Sequence, residues 1–184
     1  MFLSRYYDQA MDYTSYLTLL GEHHELHQLH SKRYHPSGFF LDKIKYIDRQ
    51  RILAITEPWC SDSLAILPVM MNIVEVMPNW EIKILLRDEH PDLMDHYLTS
   101  GSRGIPIFIF LDDHYRELFR FGPRPAAAQH IFDEHRNAIH EGKIQKQEVI
   151  KMIRKFYALD RGKSIETELT GLLRNHLKQV PCDG

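Results

Sequence analysis

The chain has 184 residues, enough for one domain with a proper core, and its 43% hydrophobic and 26% charged residues read as a soluble globular protein. A formal net charge of −2 gives no electrostatic case for binding nucleic acid or an anionic membrane, and no apolar run is long enough to span a bilayer. Two cysteines, Cys60 and Cys182, and an N-terminus with no basic region ahead of an apolar one fit a reducing cytoplasm.

The first forty or so residues read as aromatic-rich helices. Tyr6, Ala10, Tyr13, Leu17 and Leu20 fall at helical spacing and predict one helix ending at Gly21. A segment carrying His23, His24, His27 and His30 follows to about Tyr34. His23 and His27 are four apart and could meet one metal ion, but no His-Glu-x-x-His motif or nearby cysteine supports that. A solvated helix face is the preferred reading, and no metal site is expected. His35-Pro36-Ser37-Gly38 is a turn signal, and Phe40, Ile44 and Ile47 predict a short helix.

The centre alternates strand and helix. Arg51–Thr56 reads as a strand, Ser61 to Met77 as a helix and Glu81–Leu86 as a second strand. Pro91–Ser100 reads as a helix, and the apolar Ile107–Leu111 as a buried strand. Glu117–Phe121 returns as its antiparallel partner, Gly122-Pro123 stops it, and Pro125–His140 is helical. The middle is therefore β-α-β-α-β-β-α, a mixed sheet of about four strands covered by helices. Two further amphipathic stripes follow. Val149, Ile153, Phe156 and Tyr157 form one. Ile165, Leu169, Leu172, Leu173 and Leu177 form the other, with Ser164 as its N-cap. The N-terminal helices are the expected cover for both, with a second subunit as the alternative, so monomer and homodimer both stay open.

Trp59-Cys60-Ser61-Asp62-Ser63 carries the chemistry. A cysteine where a strand turns into a helix sits among unpaired backbone N–H groups, and the helix dipole favours its thiolate. Glu57 and Asp62 work the other way, because negative neighbours raise a thiol pKa. Ser63 as a nucleophile would need a nearby base and the Gly-x-Ser-x-Gly elbow, which is absent. Cys182 reads as a tail thiol, with a resolving role toward Cys60 as the sharper alternative.

In this setting the sequence resembles the thioredoxin family. Trp59-Cys60 matches the opening of that family's active-site motif, and Pro68, eight residues on, matches the proline in its active-site helix. Arg103-Gly104-Ile105-Pro106 matches the loop whose proline is cis and faces the reactive sulfur, and Gly122 matches a glycine lining the substrate groove. The resemblance covers about residues 39–140, leaving residues 1–38 and 141–184 as helical extensions of a single domain. The chain looks like a bacterial thioredoxin-like protein rather than thioredoxin itself.

The resemblance implies a thioredoxin-like α/β fold. It assigns Cys60, Ser63 and Pro106 to catalysis and Trp59, Ile105 and Gly122 to substrate binding, with Trp59 and Ile105 as apolar walls. Two departures stand out. Ser63 replaces the resolving cysteine, and Ala54 stands where many thioredoxins bury an acid. Cys60 could then form a mixed disulfide but not release itself through residue 63, so no bound cofactor is expected and an external thiol such as glutathione would finish the exchange. Expected partners are protein disulfides or glutathionylated proteins. A non-catalytic binding module using the same groove is the alternative, and a metal-binding protein built on the His segment is a weaker third reading.

Overall fold

A computed structural model describes residues 2–47 and 49–179, without the side chains of residues 177–179. Cys182 and Leu177, both singled out from sequence, fall outside the described side chains.

The N-terminal segment is two helices, not one. Helix α1 is Phe2–Gln9 and α2 is Tyr13–Leu17. The chain breaks between them because Met11 pairs its backbone with Ile84, at 2.9 and 2.8 Å, on the open edge of the sheet. Asp12 then restarts the helix as N-cap, accepting from the Ser15 N–H. Side-chain spacing alone was compatible with one continuous helix; the backbone pairing decides against it. Helix α3, His24–Arg33, and α4, Gly38–Ile44, follow, with Ser37 capping α4 by accepting from the Phe40 N–H.

Strand β1, Gln50–Thr56, leads into α5, Ser61–Glu75, which holds Pro68. Strand β2 is Trp80–Leu86. Helix α6 is only Pro91–Met94, continued by a single 3-10 turn over Asp95–Tyr97, so the predicted ten-residue helix is cut short. Leu98 turns extended, and Thr99 and Ser102 close a tight bridge. Strands β3, Ile107–Leu111, and β4, Glu117–Phe121, form a hairpin, followed by α7, Ala126–His140. Helix α8 is Lys146–Asp160 and α9 is Lys163–Gln179.

The sheet order is β2-β1-β3-β4, with β1 and β2 parallel and the other pairs antiparallel. Alternation along β1 divides the interior. Ile52 and Ala54 face one apolar core, built with α2–α5, α8 and α9. Leu53 and Ile55 face a second, built with α1, α6 and the loop before β3. The two C-terminal helices pack on earlier elements. Helix α8 packs on α5 and α7, and α9 packs on α4 and β4. The Glu166 carboxylate ties α9 to the N-terminal segment by accepting from the Tyr34 hydroxyl and from Ser37. Gly162 lets α9 turn in tightly, since at φ +81° a side chain there would run into the Tyr34 ring at 2.5 Å. Ser164 is not the N-cap of α9. It lies inside the helix, where both its N–H and its hydroxyl donate to the Asp160 carboxylate at the end of α8.

Candidate functional site

Strand β1 is fully buried from Ile52 to Thr56 and delivers the chain to α5 from beneath. Cys60 occupies the N-cap position with extended backbone (φ −77°, ψ 119°), and its carbonyl accepts from the Leu64 N–H at 3.0 Å. The Ile105–Pro106 peptide bond is cis. The Cys60 thiol lies 3.5 Å from the Ile105 carbonyl oxygen, to which it donates. Loop and helix start therefore meet at the sulfur.

Cys60 is only 9% exposed and belongs to the second core. Burial pushes its pKa above the ordinary thiol value, and the negative charge of Asp62 adds to that. The Ser63 hydroxyl and the backbone N–H groups of Ser63 and Asp62 pull the other way, as helix N-terminal donors do, but do not win. Ser63 Oγ is completely buried and has no hydrogen-bond partner in this thiol state. A thiolate at Cys60 would supply one.

Asp62 is not a free negative neighbour. Its carboxylate is buried. It accepts from Arg124 Nε at 2.8 Å on one oxygen and from the Tyr157 hydroxyl at 2.8 Å on the other. Arg124 also donates to Gln129 and lies over the Phe132 ring, 4.9 Å from its centre. Burial works against the Arg124 charge, but Asp62 outweighs it and the guanidinium pKa is raised. Tyr157 is held well above the ordinary phenol range by burial and by the same carboxylate. Glu57, the other expected acidic neighbour, turns away from the sulfur and accepts from the Asp88 N–H at 2.8 Å. Burial raises its pKa.

The other residues singled out from sequence gather around this point in different ways. Trp59 is 53% exposed, with the Arg87 guanidinium 4.9 Å above its ring, and forms an open apolar wall. Ile105 does not match the second wall expected of it. Its side chain is buried in the second core, and its backbone carbonyl is what faces the sulfur. Gly122 closes the rear. At φ +120°, a Cβ there would stand 2.1 Å from the Pro106 carbonyl oxygen, so only glycine lets β4 approach the loop. Ala54, completely buried between Ile84 and Phe108, leaves apolar packing where the resemblance implies an acid in many relatives.

The His-rich helix is a correction in part. His27 is buried, not solvated. It pairs with the Tyr13 hydroxyl at 2.6 Å, and burial lowers its pKa to about 4. Among the described residues, no group of three or more His, Cys, Asp or Glu side chains is placed to hold a metal ion. Sequence reasoning missed Arg124 and Tyr157. Arg124 stands between Pro123 and Pro125 immediately after Gly122, a rigid frame that aims one side chain. In the sequence Tyr157 shows only as part of the apolar stripe of Val149, Ile153 and Phe156.

A family described as Thioredoxin matches residues 11–137. The chain belongs to the thioredoxin family. That match begins well upstream of residue 39, so it takes in α2 and α3 along with the core. Among solved structures, an HIV epitope-scaffold is similar with a TM-score of 0.66 at 18% identity, covering 94% of this chain and 97% of its own. A protein of unknown function from Pseudomonas aeruginosa is similar with a TM-score of 0.57 at 22% identity, covering 85% and 95%. Both likenesses extend to the fold. No curated protein matches the chain. Among the described residues no helix is long and apolar enough to cross a membrane.

Proposed function

We propose that this thioredoxin-family chain is a single-cysteine thiol–disulfide exchange protein acting through Cys60. The observation that carries the reading is the Cys60 sulfur at the first turn of α5, 3.5 Å from the Ile105 carbonyl beside Pro106. The thiolate attacks one sulfur of a substrate disulfide, the old S–S bond breaks, and the departing thiolate takes a proton. Cys60 is left in a mixed disulfide. With serine at residue 63, a second, external thiol such as glutathione attacks that bond and frees the protein. Protein disulfides and glutathionylated proteins are the substrates this chemistry fits, in a reducing compartment such as the cytoplasm. Ser63 steadies the thiolate, Trp59 offers the open apolar wall, and Gly122 holds the Pro106 loop against the strand.

A raised thiol pKa makes the protein slow at neutral pH, because the thiolate is the reacting form. Insulin reduction with dithiothreitol is therefore expected to be slow in the wild type and faster in Ser63→Cys, which restores a dithiol. An equal rate in the two proteins would contradict an exchange site here.

Burial of the thiol and its bond to the Ile105 carbonyl favour a second reading, a binding module that holds a partner without exchange. Pulldown with wild type and Cys60→Ala separates the two: covalent capture lost in the variant supports exchange, and unchanged non-covalent binding supports the module.

A further inference from the structure

Between the Gly104 loop, one side of α7 and the start of α8 lies a cavity of about 460 Å³, within the roughly 300–1,000 Å³ typical of small-molecule sites. It adjoins the Cys60 site through Gly104, one residue before Ile105, and through Arg124, the partner of Asp62. Four cationic side chains line it, Arg103, Arg124, Arg136 and Lys146, and no acidic side chain does. Each arginine pairs with one carboxylate, Asp95, Asp62 and Asp133 respectively, none of which is part of the lining. A guanidinium carries five N–H donors, so a single carboxylate leaves donors free. Lys146 has no such partner among the described residues. Gln129, Thr99, Ser100 and Ser102 are neutral polar residues of the same lining.

We propose that this cavity binds the carboxylates of an anionic low-molecular-weight thiol, free or as its disulfide, and delivers its sulfur to Cys60. The proposal deepens the exchange reading and rests on it, by naming the charge class of the external thiol. The chemistry balances without another reactant. The Cys60 thiolate bonds to one sulfur of RS–SR, the RS–SR bond breaks, and RS⁻ leaves and is protonated. Cys60 is oxidised as the small disulfide is reduced. Turnover comes with a thiolated protein in place of RS–SR: the protein thiolate leaves in the first step and is protonated, and a second RS⁻ then attacks the small-molecule sulfur on Cys60, releasing Cys60 as thiolate and RS–SR. Charges lining a cleft raise the local concentration of an oppositely charged reactant by tenfold or more, and the gain fades with salt.

The test measures the rate of mixed-disulfide formation at Cys60 with three small disulfides, in wild type and in Arg136→Glu/Lys146→Glu. The probes are oxidised glutathione, which is anionic, hydroxyethyl disulfide, which is neutral, and cystamine, which is cationic. Both substituted side chains are exposed and lie outside the catalytic group. The neutral probe controls for folding and for intrinsic thiol reactivity. The double variant is expected to slow the anionic probe about tenfold, leave the neutral one unchanged and quicken the cationic one, with the anionic rate in wild type falling as salt rises. Equal behaviour of all three probes in both proteins would overturn the cavity proposal and leave the exchange reading standing. Where none of the probes modifies Cys60, the exchange reading falls. The cavity is then judged by calorimetric titration with S-methylglutathione: binding that the double variant abolishes supports it, and no binding to wild type overturns it.

Discussion

The first turn of α5 buries two polar side chains in opposite ways. Asp62 has each carboxylate oxygen answered, one by Arg124 from the start of α7 and the other by Tyr157 from α8. Ser63, one residue on, is fully buried with no partner, beside a thiol whose pKa burial has raised. The charge that would most hinder a thiolate is thus tied up by distant elements. The hydroxyl that would most help one is left unspent. The C-terminal helices, which pack around the thioredoxin core, reach the site through Tyr157 alone among the residues bonded to Asp62.

Breaking the satisfied side has the largest expected effect. Arg124→Met leaves a buried carboxylate without its cation and should cost about 3–5 kcal/mol of stability in urea unfolding. His27 sits between the two extremes, with one ring nitrogen on Tyr13 and the other, Nδ1, unpartnered. Its folded pKa of about 4 lies below the ordinary imidazole value of 6.5. Between those values the unfolded chain binds the proton and the folded one does not, so the contribution is complete above 6.5 and disappears as pH falls toward 4. The loss should reach about 3 kcal/mol. His27→Gln, which cannot titrate, should flatten the dependence of unfolding free energy on pH over that window.

Tyr157→Phe removes one of the two donors to Asp62 and should cost about 2 kcal/mol, as hydrogen bonds to charged groups do, with the fold kept. Ser63→Ala tests the unsatisfied side and separates two readouts. Alkylation of Cys60 at fixed pH should slow by about fivefold, the equivalent of roughly 1 kcal/mol lost from the thiolate. Stability should hold or rise, because an unpaired buried hydroxyl is gone. A stability loss with no change in rate would mean that Ser63 serves packing and not the sulfur.

Much of the core was legible because local signals agreed with the fold there. The β3 bounds, the β3–β4 hairpin and the position of Cys60 at the start of α5 follow from the run of apolar residues and the turn residues between elements, while Pro68 within α5 is implied by the resemblance. The failures share a cause. The α1–α2 break depends on Met11 pairing with Ile84 across the sheet, and the capping of Ser164 by Asp160 depends on how α8 ends. Burial of His27 and Ile105 depends on which helix covers which face. None of these leaves a mark at its own position in the sequence. Asp62 does oppose the Cys60 thiolate, as its place beside the cysteine in the chain implies, but the groups that hold its carboxylate are not its neighbours in sequence. Its real partners lie 62 and 95 residues away.

Intact-mass analysis with peptide mapping, after incubation with a small disulfide, reads the proposed chemistry of Cys60 most directly. An adduct on Cys60, separated from any on Cys182 by the peptide map, is expected to form faster as pH rises, to be stable once excess disulfide is removed and to be released only when a thiol is added. An unmodified Cys60, or an adduct there that clears without added thiol, would contradict a one-cysteine exchange centre.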